Sequence, residues 1–273
     1  MDSQSTEVVA GVAVSPDGSR IAWDRRGRGP AVVQVDGALY HRAMDAGTGT
    51  AGELADEFTA YRFDRRGRGD STENGPYALE REIEDLAAVV DAAGGSAHVV
   101  GVSSGGALAL RAAAAGVPME SLVLYELPFN VDGSGRPIPA DFADRVLEVL
   151  RRGERVTAVE MFMDLVGMPS SVLDEIRGTA KWEQWVQLAG TIPHDVYCVQ
   201  PFARGDPLPP GVFDTATVPT LVLVGGHCPA SMETAARALA DVLPQGRHEV
   251  LTGEQHTVGP VALAAAFRAF VGR

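Results

Sequence analysis

The stretch Val99-Val100-Gly101-Val102-Ser103-Ser104-Gly105-Gly106-Ala107 decides the fold. Its first half is a short Val-rich run, as a strand covered on both faces requires. Its second half opens a helical pattern, Ala107 to Ala115, ended by Gly116 with Pro118 two residues on. Between them, Gly101-Val102-Ser103-Ser104-Gly105 fits G-x-S-x-G, the motif of a serine held on a sharp strand-to-helix turn. The turn strains the serine backbone, and glycines on either side leave room where a β-carbon would collide. Ser103 Oγ is then presented at the carboxyl end of a sheet, over a helix start whose field favours developing negative charge. Ser103 is the candidate nucleophile, and the N–H of Ser104 is a candidate oxyanion donor.

Outward from this turn, short apolar runs alternate with helical patterns, which predicts an α/β chain with a mostly parallel twisted sheet and helices on both faces. Strands are expected at Val8 to Val14, Arg20 to Asp24, Ala31 to Val35, Thr59 to Phe63, Val99 to Val102, Ser121 to Tyr125, Thr220 to Val224 and His248 to Leu251. Ser15-Pro16-Asp17-Gly18 is a strong turn signal between the first two. Leu79, Ile83, Leu86 and Val90 share one helical face, as do Met232, Ala235, Ala236, Leu239 and Leu243, and then Leu263, Phe267 and Phe270.

From about Pro137 to Pro201 the pattern is helical without a convincing strand. Its stripes are Phe142, Val146 and Leu150, then Val156, Val159, Met163 and Val166, then Trp182, Trp185, Val186 and Ala189. The chain therefore divides into a core of residues 1–130 and 210–273 and an all-helical insertion of residues 131–209. An insertion over a sheet edge can act as a cap, so Leu39, Met161, Met163, Trp182 and Trp185 are candidate pocket residues, with internal packing of the insertion as the alternative. Asp-Arg-Arg-Gly-Arg-Gly occurs twice, at Asp24 to Gly29 and Asp64 to Gly69. Solvated turns are the expectation for both, ahead of phosphate binding or an anion grip by Arg65, Arg66 and Arg68.

A serine hydroxyl needs a base, and in this arrangement the chain order is serine, acid, histidine. His256 follows a short strand and the turn Thr252-Gly253-Glu254-Gln255, and precedes the last helix, so it is the candidate base. His227 is the rival; His248 reads as a strand residue, and His41, His98 and His194 lie before the serine or in the insertion. No two histidines stand four apart, so no metal site is expected, and no cofactor. The second oxyanion N–H belongs to the loop after the third strand, Val35-Asp36-Gly37-Ala38-Leu39, with Ala38 the choice.

These motifs resemble the α/β-hydrolase-fold superfamily over essentially the whole chain. The similarity rests on the loop Val35 to Leu39, on Phe63-Asp64-Arg65-Arg66-Gly67-Arg68-Gly69-Asp70-Ser71, on the serine turn and on the loop Gly253 to His256. It implies a helical cap between the sixth and seventh strands. The superfamily's acid usually follows the seventh strand, but here that stretch reads Val224-Gly225-Gly226-His227-Cys228-Pro229 and holds none. The superfamily's alternative position, after the sixth strand, is Glu126 in Leu124-Tyr125-Glu126-Leu127-Pro128. A Ser103, His256 and Glu126 triad is thereby implied, with Glu254 and Asp241 as weaker acids. Asp36 stands where relatives often carry His, and Asp36 and His227 are accessory candidates.

Composition bounds the function. The chain has 273 residues, 45% hydrophobic and 22% charged, enough for a large core without disulfides or metal. Its net charge of −13 disfavours a nucleic-acid partner. No apolar run approaches a membrane span, and Met1 to Glu7 lacks a signal-peptide layout. Cys198 and Cys228 form no CxxC, which with the missing signal points to a reduced, cytoplasmic protein, although the pair leaves one disulfide open. Lys181 is the sole lysine beside 22 arginines, the mark of a GC-rich bacterial gene. The partner expected is a small molecule, and a homodimer is compatible. Three functions fit: a hydrolase of a small hydrophobic ester, thioester or lactone; a biosynthetic tailoring enzyme that shuttles protons through Asp36, His227 or His256 for cyclisation, elimination or epimerisation; and a non-catalytic ligand-binding module.

Overall fold

The computed structural model describes residues 7–44 and 49–272. Most of the Met1 to Glu7 stretch lies outside the described residues. Eight strands form one sheet: β1 (Val9–Val14), β2 (Arg20–Gly27), β3 (Ala31–Val35), β4 (Thr59–Phe63), β5 (Ala97–Val102), β6 (Met119–Tyr125), β7 (Thr220–Gly225) and β8 (Gly246–Leu251). Their order is β1-β2-β4-β3-β5-β6-β7-β8. β2 runs antiparallel to β1 and β4, and all pairs from β4 to β8 are parallel. After β3 the chain first steps to β4 on one side, then returns to place β5 on the other. The carboxyl ends of β3 and β5 therefore flank the point where winding reverses, which is where open α/β sheets bind ligands.

Alternate strand residues feed two apolar layers. Val32, Val100, Val123, Leu221 and Leu223 pack with α1 (Thr50–Leu54) and α10 (Pro260–Val271). Val33, Val35, Val99, Leu122, Leu124, Val222 and Val224 face α2 (Leu79–Ala92), α3 (Ser104–Ala114) and α9 (Ala230–Val242). The second layer continues into five helices between β6 and β7: α4 (Phe142–Arg151), α5 (Arg155–Leu165), α6 (Ser170–Ile176), α7 (Ala180–Leu188) and α8 (Ile192–Val199). α8 packs on both α3 and α4, so this helical segment rests directly on the helix that follows Ser103. Among the described residues no helix is long and apolar enough to cross a membrane. Cys198 and Cys228 are both free thiols.

Three local expectations are corrected. The first Asp-Arg-Arg-Gly-Arg-Gly copy is mostly strand: β2 continues through Gly27, pairing Asp24 with Arg62 and Gly27 with Thr59, and only Arg28-Gly29 bends toward β3. Gly27 is required there, because a Cβ would lie 2.2 Å from the carbonyl oxygens of Ala55 and Phe58. In α5, Val156 and Val166 are exposed, and Ala158, Val159 and Met163 make the buried face instead. The second Arg-rich copy is a turn, but not a solvated one. Arg65, Arg66 and Arg68 are buried, because α2 turns two carboxylates onto its apolar face to meet them. Arg66 forks onto Asp85 at 2.6 and 2.8 Å, and Arg65 Nε donates to Glu82 Oε1 at 2.7 Å.

These buried charges make stability depend on pH. Burial raises the Glu82 carboxyl, but the Arg65 guanidinium outweighs it and brings the pKa from 4.5 down to about 2. His194 stacks on Tyr77 with ring centroids 4.0 Å apart, and burial pushes its pKa from 6.5 to about 4. In both cases the unfolded chain binds the proton more readily, so stability rises with pH. The unfolding free energy should be level from pH 7 to pH 8. It should fall between pH 6.5 and 4 as His194 titrates in the unfolded chain, and steepen below pH 4.5 as Glu82 does. The Glu82 contribution is about 3 kcal/mol, at about 1.4 kcal/mol per pH unit. Urea unfolding from pH 8 to pH 3 tests this; Glu82→Gln should be less stable at pH 7 and show a shallower loss below pH 4.5.

Candidate active site

The site is assembled from loops at the carboxyl ends of β3, β5, β6, β7 and β8. Ser103 follows β5 and holds φ 55° and ψ −128°, the strained backbone expected of its turn. Its N–H donates to Tyr125 O at 2.9 Å, tying the turn to the end of β6. The glycines beside it are sterically required. A Cβ on Gly105 would lie 2.4 Å from the carbonyl oxygens of Val35 and Asp36, and one on Gly101 would lie 2.6 Å from Gly106 Cα. Ser103 itself is half-buried.

Glu126 directly follows β6 with φ 46°, and is 1% exposed. Its Oε1 accepts the Gly225 N–H at 2.9 Å, and its Oε2 lies 2.7 Å from His256 Nδ1. His256 is exposed on the loop after β8. That loop is anchored by Tyr125, whose hydroxyl donates to Gln255 O at 2.7 Å. The structure thus brings Glu126 to His256. Glu254 is engaged elsewhere, accepting the Gly259 N–H at 2.6 Å before α10, and Asp241 is exposed on α9. Holding Nδ1–H on the carboxylate fixes the tautomer and leaves Nε2 as the basic nitrogen.

The β3 loop passes against Ser103. A Cβ on Gly37 would lie 3.1 Å from Ser103 Cβ and 3.7 Å from its Oγ. Ala38 and Leu39 follow, Leu39 buried with φ 54°. Ser104 is the first residue of α3, where backbone N–H groups lack helical partners. Its side chain does more than the sequence suggested: Oγ donates to Asp195 Oδ1 of α8 at 2.7 Å.

Asp195 is the largest omission from the sequence reading. It is buried and also accepts Arg65 Nη1 at 2.7 Å and Arg68 Nη2 at 2.8 and 2.9 Å. Burial raises its carboxyl, but Arg68 and Arg65 outweigh that and hold it below the usual carboxylate range. The available signal was a charged residue inside the apolar helical run Ile192 to Val199.

The accessory candidates are placed as follows. Asp36 is buried, with Oδ1 accepting Gln34 Nε2 at 2.6 Å and Oδ2 3.7 Å from Arg62 Nη2. His227 is exposed after β7, its backbone N–H donating to Glu254 O. The two oxygens of Glu126 are taken by Gly225 and His256 rather than by His227. Met163, Trp182 and Trp185 are buried in the packing of the helical segment, and Met161 is half-buried against it. Arg177 lies 5.8 Å from the Trp182 ring and Lys181 Nζ lies 5.0 Å from the Trp185 ring.

This geometry defines a class, and sequence comparison agrees. Residues 23–268 match the alpha/beta hydrolase family, and the chain belongs to it. A crystal structure of an alpha/beta hydrolase from Sphaerobacter thermophilus is 42% identical, with a TM-score of 0.87 over 96% of this chain and 100% of that one. N-formylmaleamate deformylase from Pseudomonas putida is 39% identical over 134 residues, 47% of this chain. The match spans about half the length of that curated relative, 48%. An enol-lactonase from Burkholderia xenovorans LB400 shares the fold at 21% identity and a TM-score of 0.64, over 96% of this chain and 100% of that one.

The tight backbone approach at Gly105 sets a stability test. Gly105→Ala should lower the melting temperature by about 2–5 °C, since overpacking a closed site costs about 1–3 kcal/mol and backbone oxygens cannot rotate away. Gly190→Ala, whose Cβ would meet only the Arg155 side chain at 3.8 Å, should change it little. Differential scanning fluorimetry of both variants makes the comparison.

Proposed function

We propose that the protein is a serine hydrolase of small hydrophobic esters, thioesters or lactones that works through an acyl-enzyme. Ser103 is the nucleophile, His256 the general base and then acid, and Glu126 the residue that orients and charge-stabilises His256. The observation that carries this reading is the 2.7 Å contact between Glu126 Oε2 and His256 Nδ1, with Ser103 on a strained strand-to-helix turn whose N–H is bonded to Tyr125 O, the residue before Glu126. Fold alone would not choose a reaction.

In the reaction, Ser103 Oγ attacks the carbonyl carbon while His256 Nε2 takes its proton. The tetrahedral oxyanion is received by the N–H groups of Ala38 and Ser104. Collapse breaks the bond to the alkoxide or thiolate, which leaves with the proton from His256. Water, deprotonated by the same histidine, then attacks the acyl-enzyme and releases the acid and Ser103. In this scheme the helical segment over α3 is the cap, and Leu39, on the loop that passes against Ser103, borders the acyl group. Two observations support acyl transfer over proton shuttling: Asp36 is engaged by Gln34 and Arg62, and His227 points to solvent. The likeness to a protein named for deformylating N-formylmaleamate adds a compact N-formyl amide to the substrates worth assaying.

Intact-mass spectrometry after exposure to a fluorophosphonate tests the reading. Wild type should gain one adduct, Ser103→Ala none, and His256→Ala should react far more slowly. On any ester that wild type turns over, Glu126→Gln should lose about 10²–10⁴-fold in kcat, the range for losing the group that orients a catalytic histidine. A folded wild type that takes no adduct, or a Ser103→Ala variant that still does, rejects the proposal.

A further inference from the structure

The acyl-transfer reading assigns two backbone donors, and both are fastened to one carboxylate that none of the family motifs contains. The first fastening is direct: Ser104 Oγ donates to Asp195 Oδ1 at 2.7 Å, and Arg65 Nη1 approaches the same hydroxyl at 3.3 Å. The second runs through Arg68. Its Nη2 is bound by both oxygens of Asp195, and its Nη1 donates to Gly37 O at 2.6 Å. That carbonyl belongs to the same peptide unit as the Ala38 N–H. In a trans peptide the C=O and N–H point to opposite sides of one rigid plane, and the structure has no cis bond among the described residues. Fixing Gly37 O therefore fixes the direction of the Ala38 N–H. A charged donor on the oxygen also polarises the peptide and strengthens its N–H as a donor.

We propose that Asp195, contributed by α8 of the inserted helical segment, is a positioning residue that sets both oxyanion donors, Ser104 directly and Ala38 through Arg68 and Gly37. The inference rests on the acyl-transfer reading above. It makes the inserted segment part of the catalytic geometry as well as a cover. Arg65 and Glu82 complete the arrangement: two guanidinium and two carboxylate groups, all buried, balance in charge and leave the Asp195 oxygens little freedom to turn. Arg65 and Arg68, weighed from the sequence as a grip on an anionic substrate, are instead spent inward.

The test measures kcat and KM for p-nitrophenyl acetate, and the rate of Ser103 phosphonylation by a fluorophosphonate, in wild type, Ser104→Ala, Arg68→Met and Asp195→Asn. Ser104→Ala keeps the N–H and removes only the hydroxyl tether. Arg68→Met and Asp195→Asn should lower kcat about ten-fold or more, and Ser104→Ala several-fold, with KM within about two-fold of wild type. Losing one oxyanion donor outright costs about 10²–10³-fold, and a misdirected donor costs less. Phosphonylation, which also places negative charge on an oxygen in that hole, should slow in parallel. A purely structural role would lower the melting temperature and leave kcat per folded molecule unchanged, and that outcome overturns the proposal. If Asp195→Asn does not fold, Ser104→Ala and Arg68→Met decide, and kcat within two-fold of wild type in both rejects it. Ser103→Ala in the same assay separates the two readings. An inactive Ser103→Ala keeps the hydrolase reading whatever the other variants do, whereas an active one removes both.

Discussion

Among the described residues only Leu39, Ser103 and Glu126 carry a side chain on left-handed backbone, and each follows the end of a parallel strand, β3, β5 or β6. Such a conformation costs about 1–3 kcal/mol per residue and persists only where its surroundings over-determine it. Here the strand ladder does so. The Ser103 N–H reaches Tyr125 O on β6, and the Glu126 N–H reaches Leu223 O on β7, each extending the sheet by one bond past its last regular residue. The backbone thus stays paired while the side chain turns out of the pleat. Ladder bonds hold two of the three, Ser103 and Glu126, and all three residues lie past the carboxyl ends of neighbouring strands, where the proposed reaction takes place.

Positions so strained need a rigid base, and much of that base is ionic. Buried ion pairs are weak evidence for net stability, because desolvation offsets much of their attraction. What they provide here is direction. A guanidinium satisfies fixed acceptors in one plane, and Arg65 and Arg68 use that geometry to connect α2, α3, α8 and the β3 loop. An apolar core of the same volume would pack these elements without orienting a peptide plane.

The repeated hexapeptide marks the limit of what local sequence specifies. Asp24 to Gly29 and Asp64 to Gly69 are identical, yet the first extends an antiparallel strand and the second turns and buries its arginines. The difference comes from partners distant in sequence: β4 pairs with the first copy, and Glu82, Asp85 and Asp195 receive the second. The strands, the elbow and the pairing of Glu126 with His256 were legible because each is set by residues within a few positions, or by the chain order of a known motif. Glu82 and Asp85 were half-legible, since helical phase from Leu79 already puts them on the core face of α2. Asp195 showed in the sequence only as a charge inside the apolar run of α8; its role was not legible, because it exists only once α8 lies on α3.

The placement of the acid follows from the order of the strands. β6 and β8 lie on opposite sides of β7, so a carboxylate leaving β6 must cross the end of β7 to reach a histidine after β8. Glu126 makes that crossing by accepting the Gly225 N–H on its way to His256. Neighbouring strands are about 4.8 Å apart, and the longer of the two acidic side chains suits the reach. Gly225 answers a different neighbour: a Cβ there would lie 2.4 Å from Glu254 O and 2.7 Å from the Tyr125 hydroxyl, which itself donates to Gln255 O. A bare residue at the end of β7 therefore lets the loop after β8 close down on the strand, and that closure brings His256, one residue further on, to the carboxylate arriving from β6.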